Sequence, residues 1–253
     1  MNIFYAIIFF ILGSSLASFY GVVGARLPLH ESIISPSSHC TKCHHKLAWY
    51  ELIPVFSFLF LRGKCKHCHT KLSIADPLLE LFTGLCFVFF YLKYDISYSF
   101  FMSLILISLL DLIFISDFKY MIILDSPLVI SGILIFILRW IYFGITEAFL
   151  YVGYGIIMFL FMLLVGLLGS LIFKREALGG GDIKLAFIVG MAVGIPYGFI
   201  VLILSTFLAL PYATFSLLTN TSKEVPFGPF IISALCIVFL FYDKFSYILQ
   251  LIY

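Results

Sequence analysis

Two aspartates, Asp117 in Ser116-Asp117-Phe118-Lys119 and Asp182 in Gly179-Gly180-Gly181-Asp182-Ile183-Lys184, stand at the mouths of long apolar segments. An ionised carboxylate is costly beside hydrocarbon, and an acidic residue kept there marks a functional site. Two such carboxylates held together cannot both ionise cheaply. One keeps a proton and serves as acid while the other serves as base, which is the chemistry that activates a water. The three glycines before Asp182 cost conformational entropy on folding. That cost makes sense where an extended backbone is laid beside a catalytic group, so Gly179, Gly180 and Gly181 are the expected edge of a substrate site. Lys184 lies just beyond, placed like Lys119 either to attract an acidic substrate residue or to meet lipid phosphates, the lipid role being favoured.

The other acids read more plainly. Asp111 lies six residues before Asp117 and points about 240° away from it on a helix, so it does not share that face. Asp125, before Ser126-Pro127, is placed to cap the next helix. Glu176 follows Lys174-Arg175 in a loop as a solvated charge, and Asp95, Glu147 and Asp243 fall at segment ends.

A second constellation is Cys40-Thr41-Lys42-Cys43 and Cys65-Lys66-His67-Cys68, two Cys-x-x-Cys knuckles separated by 21 residues. This spacing predicts a tetrahedral four-thiolate zinc site, structural because no open position is left for a water. Disulfides are the competing reading. His39, His44, His45, His67 and His69 flank the knuckles as solvated neighbours or alternate ligands. The only sizeable apolar cluster nearby is Trp49, Leu52, Ile53, Val55, Phe58 and Leu59, so the metal is expected to supply much of the fold of this island. Cys86 and Cys236 stand alone in apolar segments, as small buried hydrophobes do.

The elements that must position these groups are membrane helices. Of the 253 residues, 63% are hydrophobic and 11% charged, with mean hydropathy +1.16, far from soluble domains. Runs able to cross about 30 Å of hydrocarbon fall near 3–24, 78–94, 98–116, 126–144, 148–173, 183–197, 198–217 and 229–246, with Gly194-Ile195-Pro196-Tyr197-Gly198 as the turn between the sixth and seventh. The fold class is therefore an all-α polytopic membrane protein of about eight transmembrane helices, with a small cytoplasmic zinc-binding insertion after the first. The domains expected are 1–24 (first helix), 25–76 (four-cysteine island) and 77–253 (helix bundle). With the N-terminus outside, 12 of the 15 basic residues fall on inner segments and only Lys93, Arg139 and Lys244 at outer ends. That asymmetry puts Asp117, Asp182 and the island at the cytoplasmic face, where reducing conditions favour thiolates over disulfides. The first span has no preceding basic residue and reads as a retained helix, not a cleaved signal. No Gly-x-Gly-x-x-Gly or Walker pattern follows a strand, so nucleotide binding on a βαβ unit is excluded, and nucleic acid is not an expected partner.

Taken together, the motifs resemble the bacterial prepilin peptidases, membrane aspartic proteases of the Gly-x-Gly-Asp group. The likeness runs from Gly13 to about Phe230. It is carried by Arg26-Leu27-Pro28, by the cysteine segment with Trp49, Ile53-Pro54, Gly63 and Pro77-Leu78-Leu79-Glu80, by Asp117 with Leu124-Asp125-Ser126, by Gly179-Gly180-Gly181-Asp182-Ile183-Lys184, and by Val225-Pro226-Phe227-Gly228-Pro229-Phe230. The chain departs from the family pattern at Ser18-Phe19-Tyr20-Gly21, where the family has Asn as the fourth residue. Asp76 stands for Tyr, and Leu124 for Pro.

The resemblance implies catalysis by Asp117 and Asp182 on type IV prepilins or pseudopilins, small proteins with a basic leader and an apolar N-terminal helix that lies in the lipid bilayer. It also implies zinc on Cys40, Cys43, Cys65 and Cys68, and a second activity, methylation of the new N-terminus from S-adenosylmethionine. The departures cluster toward the half of the chain tied to that second activity. A transporter or channel with a zinc-binding regulatory domain is the alternative, but such proteins carry polar groups near the bilayer midplane in related halves.

Overall fold

The computed structural model describes residues 2–174, 177–219 and 225–252. Arg175, Glu176 and Lys223 lie outside the described residues. The chain forms two compact units, residues 1–100 and 101–253, and no strand longer than a single bridge occurs among the described residues.

In the first unit, α1 (Asn2–Arg26) packs along α3 (Ala75–Tyr94), with the polar island and the short α2 (Phe56–Phe60) between them in sequence. The two long helices meet through small residues. A Cβ on Gly13 would lie 2.8 Å from Phe87, and one on Gly84 would lie 2.9 Å from Phe10. In lipid, where apolar burial against a neighbour gains little, this closeness is what holds helices together. The rings of Phe9, Tyr91 and Phe100 close the other end of the seam.

The second unit contains α4 (Tyr98–Tyr120, of which the last twenty residues belong to it), α5 (Asp125–Phe143), α6 (Ile145–Phe173), α7 (Gly180–Thr219), α8 (Gly228–Leu240) and α9 (Tyr242–Ile252). The centre is α7, which packs against α5, α6 and α8. Its 40 residues are not one rod. Gly194, at φ 79° and ψ −177°, breaks it, and the following Pro196 has no N–H with which to continue the ladder. Among the described residues, six helices are long and apolar enough to cross a membrane. Counting α7 as two spans and adding the shorter apolar α8 gives the eight expected.

Two details differ from the sequence reading. The turn within α7 is confined to Gly194, because Pro196 sits comfortably in the first turn of the second half. The last apolar run is interrupted at Phe241, where α8 ends and α9 begins.

Candidate functional site

The paired carboxylates arise from the starts and ends of three helices in the second unit. Asp117 is in the last turn of α4 and 6% exposed. Its Oδ2 accepts the backbone N–H of Gly228, the first residue of α8, at 3.1 Å in a buried setting. A free helix N-terminus is a favourable place for a carboxylate. Only glycine permits this approach: a Cβ on Gly228 would lie 3.0 Å from Asp117 Oδ2 and 2.6 Å from Ile123 Cδ1.

Asp182 lies in the first turn of α7 at 9% exposure. It is close enough to Asp117 for that charge to act on it. Its Oδ1 is buried and has no hydrogen-bond partner among the described residues. A buried carboxylate oxygen left open in this way is an acceptor waiting for a hydrogen-bonding group.

The three glycines do different work. A Cβ on Gly179 would meet Asp182 Oδ2 at 3.2 Å, and one on Gly181 would meet Ile123 Cβ at 2.7 Å, whereas Gly180 opens on free space. Ile123, in the short link from α4 to α5, thus fits against both Gly181 and Gly228 and ties together the chain segments that carry the two aspartates. The sequence carries Gly228 only as part of the Val225-Pro226-Phe227-Gly228-Pro229-Phe230 motif, with no role of its own, and gives no sign of Ile123. Beside Asp117 an apolar wall is built from Phe118, Tyr212 and Phe230, whose ring centroids are 5.6 to 6.2 Å apart.

Lys184 and Asp125 find each other. Lys184 Nζ is 2.6 Å from Asp125 Oδ1, with both side chains more than half exposed, so the pair contributes little stability. It links the start of α7 to the start of α5. Asp125 makes no side-chain cap to its own helix, which begins after Leu124. Asp111 is fully buried, on another face of α4.

In the first unit the four knuckle sulfurs gather within 4.8 Å of one another. Cys40 and Cys68 are 3.8 Å apart, Cys43 and Cys65 3.9 Å. A tetrahedron with metal–sulfur bonds of about 2.3 Å has edges of about 3.8 Å, so these thiols could hold one zinc ion. Cys40 to Leu47 and Cys65 to Leu72 share one pattern, Cys-x-x-Cys-His-x-Lys-Leu, and fold alike. Cys40 and Cys65 N–H groups donate to the carbonyls of His45 and Thr70, and the His44 and His69 N–H groups donate back to the cysteine carbonyls.

His44 and His69 occupy the left-handed region at φ 56° and 54°. Their role is in the turn, and no histidine joins the sulfur cluster. The N–H groups of Cys43 and Lys42 hold the Cys40 thiol down at about 6. The N–H of His45 also lowers Cys43, but desolvation and the Cys68, Cys40 and Cys65 thiols push it up to about 11. Protons are thus shared unevenly over the cluster, which a cation would replace.

The apolar residues of the island form no core, in keeping with the shortage that the sequence implies. Trp49 is 78% exposed and Leu59 63%, because 50 residues with two knuckles leave no layer to bury them against. What anchors the island is Glu80 of α3, whose Oε2 accepts the N–H of Val55 at 2.7 Å and whose carboxylate is also bonded by Ser18 of α1. Val55 is held at φ 62°, a conformation a β-branched residue adopts only when its surroundings impose it. Within the island, Glu51 is buried, and the Ala48 N–H, helped by His45, holds its carboxyl below the usual range.

Comparison with known proteins places both units. The model of the bacterial Peptidase A24 N-terminal domain matches residues 11–94, and that of the type IV leader peptidase family matches residues 104–214. The chain is 32% identical over 246 residues to the prepilin leader peptidase/N-methyltransferase of Bacillus subtilis, covering 94% of each. It is 32% identical over 256 residues to that of Vibrio cholerae, covering 94% of this chain and 98% of the relative. With the Myxococcus xanthus protein of the same name it shares 37% over 189 residues, 74% of this chain and 55% of the relative. No solved structure matches. Full-length similarity at this level, with both halves matched in order, means that the chain belongs to the type IV leader peptidase family.

Proposed function

We propose that this protein is a prepilin leader peptidase that cuts the leader from type IV prepilins or pseudopilins with Asp117 and Asp182, and that it methylates the new N-terminus. The observation that carries the reading is the buried carboxylate pair, one member held by the Gly228 N–H and the other with an open Oδ1.

A water between the two aspartates loses a proton to the ionised carboxylate as it attacks the scissile carbonyl. The protonated partner gives its proton to the oxyanion and the tetrahedral adduct collapses. The leaving amine takes a proton from the pair. The dyad shares its proton, so the roles belong to the pair. Gly180, with open space above its Cα, is where the substrate backbone passes, while Gly179 and Gly181 keep the aspartates close. S-adenosylmethionine supplies the methyl group when bound. Zinc on Cys40, Cys43, Cys65 and Cys68 folds the island and takes no part in proteolysis.

The proposed division of labour is 1–24 as an anchor helix, 25–76 as the zinc domain and 77–253 as the peptidase bundle. The enzyme sits in the bacterial cytoplasmic membrane with the N-terminus outside and both aspartates at the cytoplasmic face, as the distribution of basic residues supports.

Two expected results test this. Gly228→Ala puts a methyl 3.0 Å from Asp117 Oδ2 and displaces the carboxylate, so cleavage slows by about 10- to 100-fold, measured on a synthetic prepilin segment. After co-expression with a pilin substrate, mass spectrometry reports leader loss and methyl gain as separate shifts. Cys65→Ser lowers the methylated fraction more than the cleaved fraction, with cleavage reduced by about tenfold or less because Asp117 and Asp182 both lie in the second compact unit, apart from the island. If stably inserted Cys65→Ser protein cleaves nothing, the island serves proteolysis and the division is wrong. Wild type that cleaves without methylating would remove the second activity from the proposal.

A further inference from the structure

Arg139 is the only arginine or lysine buried among the described residues, at 7% exposure on α5. Its Nε donates to the carbonyl of Met191 at 3.1 Å and its Nη2 to that of Ala192 at 2.7 Å. The guanidinium lies 3.2 Å from the ring centroid of Tyr151 on α6. Both carbonyls lie in the turn that ends at the Gly194 break, where the ladder of α7 is interrupted. The N–H that would reach Met191 belongs to Ile195 and is turned away by the non-helical backbone of Gly194. The one that would reach Ala192 belongs to position 196, a proline. Arg139 therefore supplies both donors that the break removes, and its planar fork suits two adjacent acceptors as an ammonium would not.

The half-helix that ends at this clamp begins with Asp182. Nine residues separate Asp182 from Met191, about 14 Å along the axis. One turn before the break the backbones of α6 and α7 touch, since a Cβ on Gly190 would lie 2.5 Å from the Tyr154 carbonyl oxygen. The seam continues toward Asp182, where a Cβ on Gly155 would lie 2.8 Å from the Phe187 carbonyl oxygen and one on Gly166 3.6 Å from Ile183 Cδ1, so this seam and the arginine clamp together set the direction of the half-helix. A tilt of about 5° at the clamped end moves a group 14 Å away by about 1 Å, and misplacement of that size lowers catalysis by about 100-fold.

We infer that Arg139, stacked on Tyr151, is a positioning residue for proteolysis: it sets the direction of the half-helix that presents Asp182 to Asp117. The inference rests on the assignment of Asp182 to the catalytic pair.

The test is steady-state kinetics on a synthetic prepilin segment with purified Arg139→Met, Arg139→Lys, Tyr151→Leu and Tyr151→Phe, each rate normalised to the correctly folded fraction. Methyl transfer onto pre-cleaved pilin serves as a check on the first unit. Arg139→Met is expected to lower kcat by about 10- to 100-fold with KM within about threefold, because substrate still binds while the aspartates no longer meet in register. Arg139→Lys recovers part of the loss, Tyr151→Leu shows a smaller loss of the same kind, and Tyr151→Phe, which keeps the ring, is neutral. Folded Arg139→Lys and Tyr151→Leu that both keep wild-type kcat would overturn the inference. So would losses that vanish on normalisation, which mark a purely structural role. Asp182→Asn run alongside separates the two levels: full activity in that variant refutes the dyad itself, whatever the arginine does.

Discussion

Asp117→Asn and Asp182→Asn each abolish leader cleavage while leaving the protein folded and inserted. Each change is nearly isosteric and removes one titrating group. The expected loss is on the order of 10³-fold or more, because neither an amide beside a carboxylate nor the reverse can pass a proton to and from the water. The two variants differ in what they disturb. At position 117 an amide oxygen can still accept the Gly228 N–H, so the start of α8 stays in place. At 182 the open oxygen has no such partner to lose. The double variant is therefore no worse than either single one. Asp111→Asn, on another face of α4, is much milder. Rates of peptide cleavage, with circular dichroism of the detergent-purified variants, check this set.

The second large effect concerns the metal. The purified chain is expected to carry about one zinc ion, and Cys40→Ser or Cys68→Ser releases it. Three thiolates bind more weakly than four, and the binding energy is also folding energy for an island with no buried core of its own. Trp49 and Leu59, being exposed, cannot take over. Metal analysis together with limited proteolysis between residues 30 and 76 reads both consequences. Zinc-free wild type with all thiols accounted for would defeat the assignment. Chelators that leave peptide cleavage intact agree with it, since no step of cleavage runs through the metal.

The spans were readable because hydropathy in lipid is a one-dimensional property: a run of apolar residues either is or is not long enough. The break at Gly194 was readable for the same local reason, a glycine followed by a proline. The knuckles carry their own signal in spacing, and their repetition as Cys-x-x-Cys-His-x-Lys-Leu is visible in the sequence as well.

What was not readable is long-range. Gly228 matters because α8 begins against Asp117, 111 residues earlier. Ile123 matters because two glycine gaps converge on it, and Glu80 because an island residue with a constrained backbone needs its N–H held. Lys184, two residues beyond Asp182, is paired with Asp125, a partner that only the packing of α5 on α7 reveals. From sequence Arg139 is a charge at an outer helix end, where a basic residue ordinarily faces water. Its burial follows from two carbonyls that a helix break leaves open. The exposure of Trp49 and Leu59 agrees with the reading of the island as short of core: apolar composition alone does not make a core when no second layer exists to cover it.

The central claim is that this chain hydrolyses a prepilin leader by itself. Purified wild-type protein in detergent, incubated with a synthetic prepilin segment spanning the leader and the start of the apolar helix, is analysed by mass spectrometry. Two products whose masses sum to the substrate plus one water are expected, formed by wild type and absent with Asp117→Asn and Asp182→Asn. Substrate left intact by folded wild-type protein, or the same two products formed by either asparagine variant at a comparable rate, would contradict it.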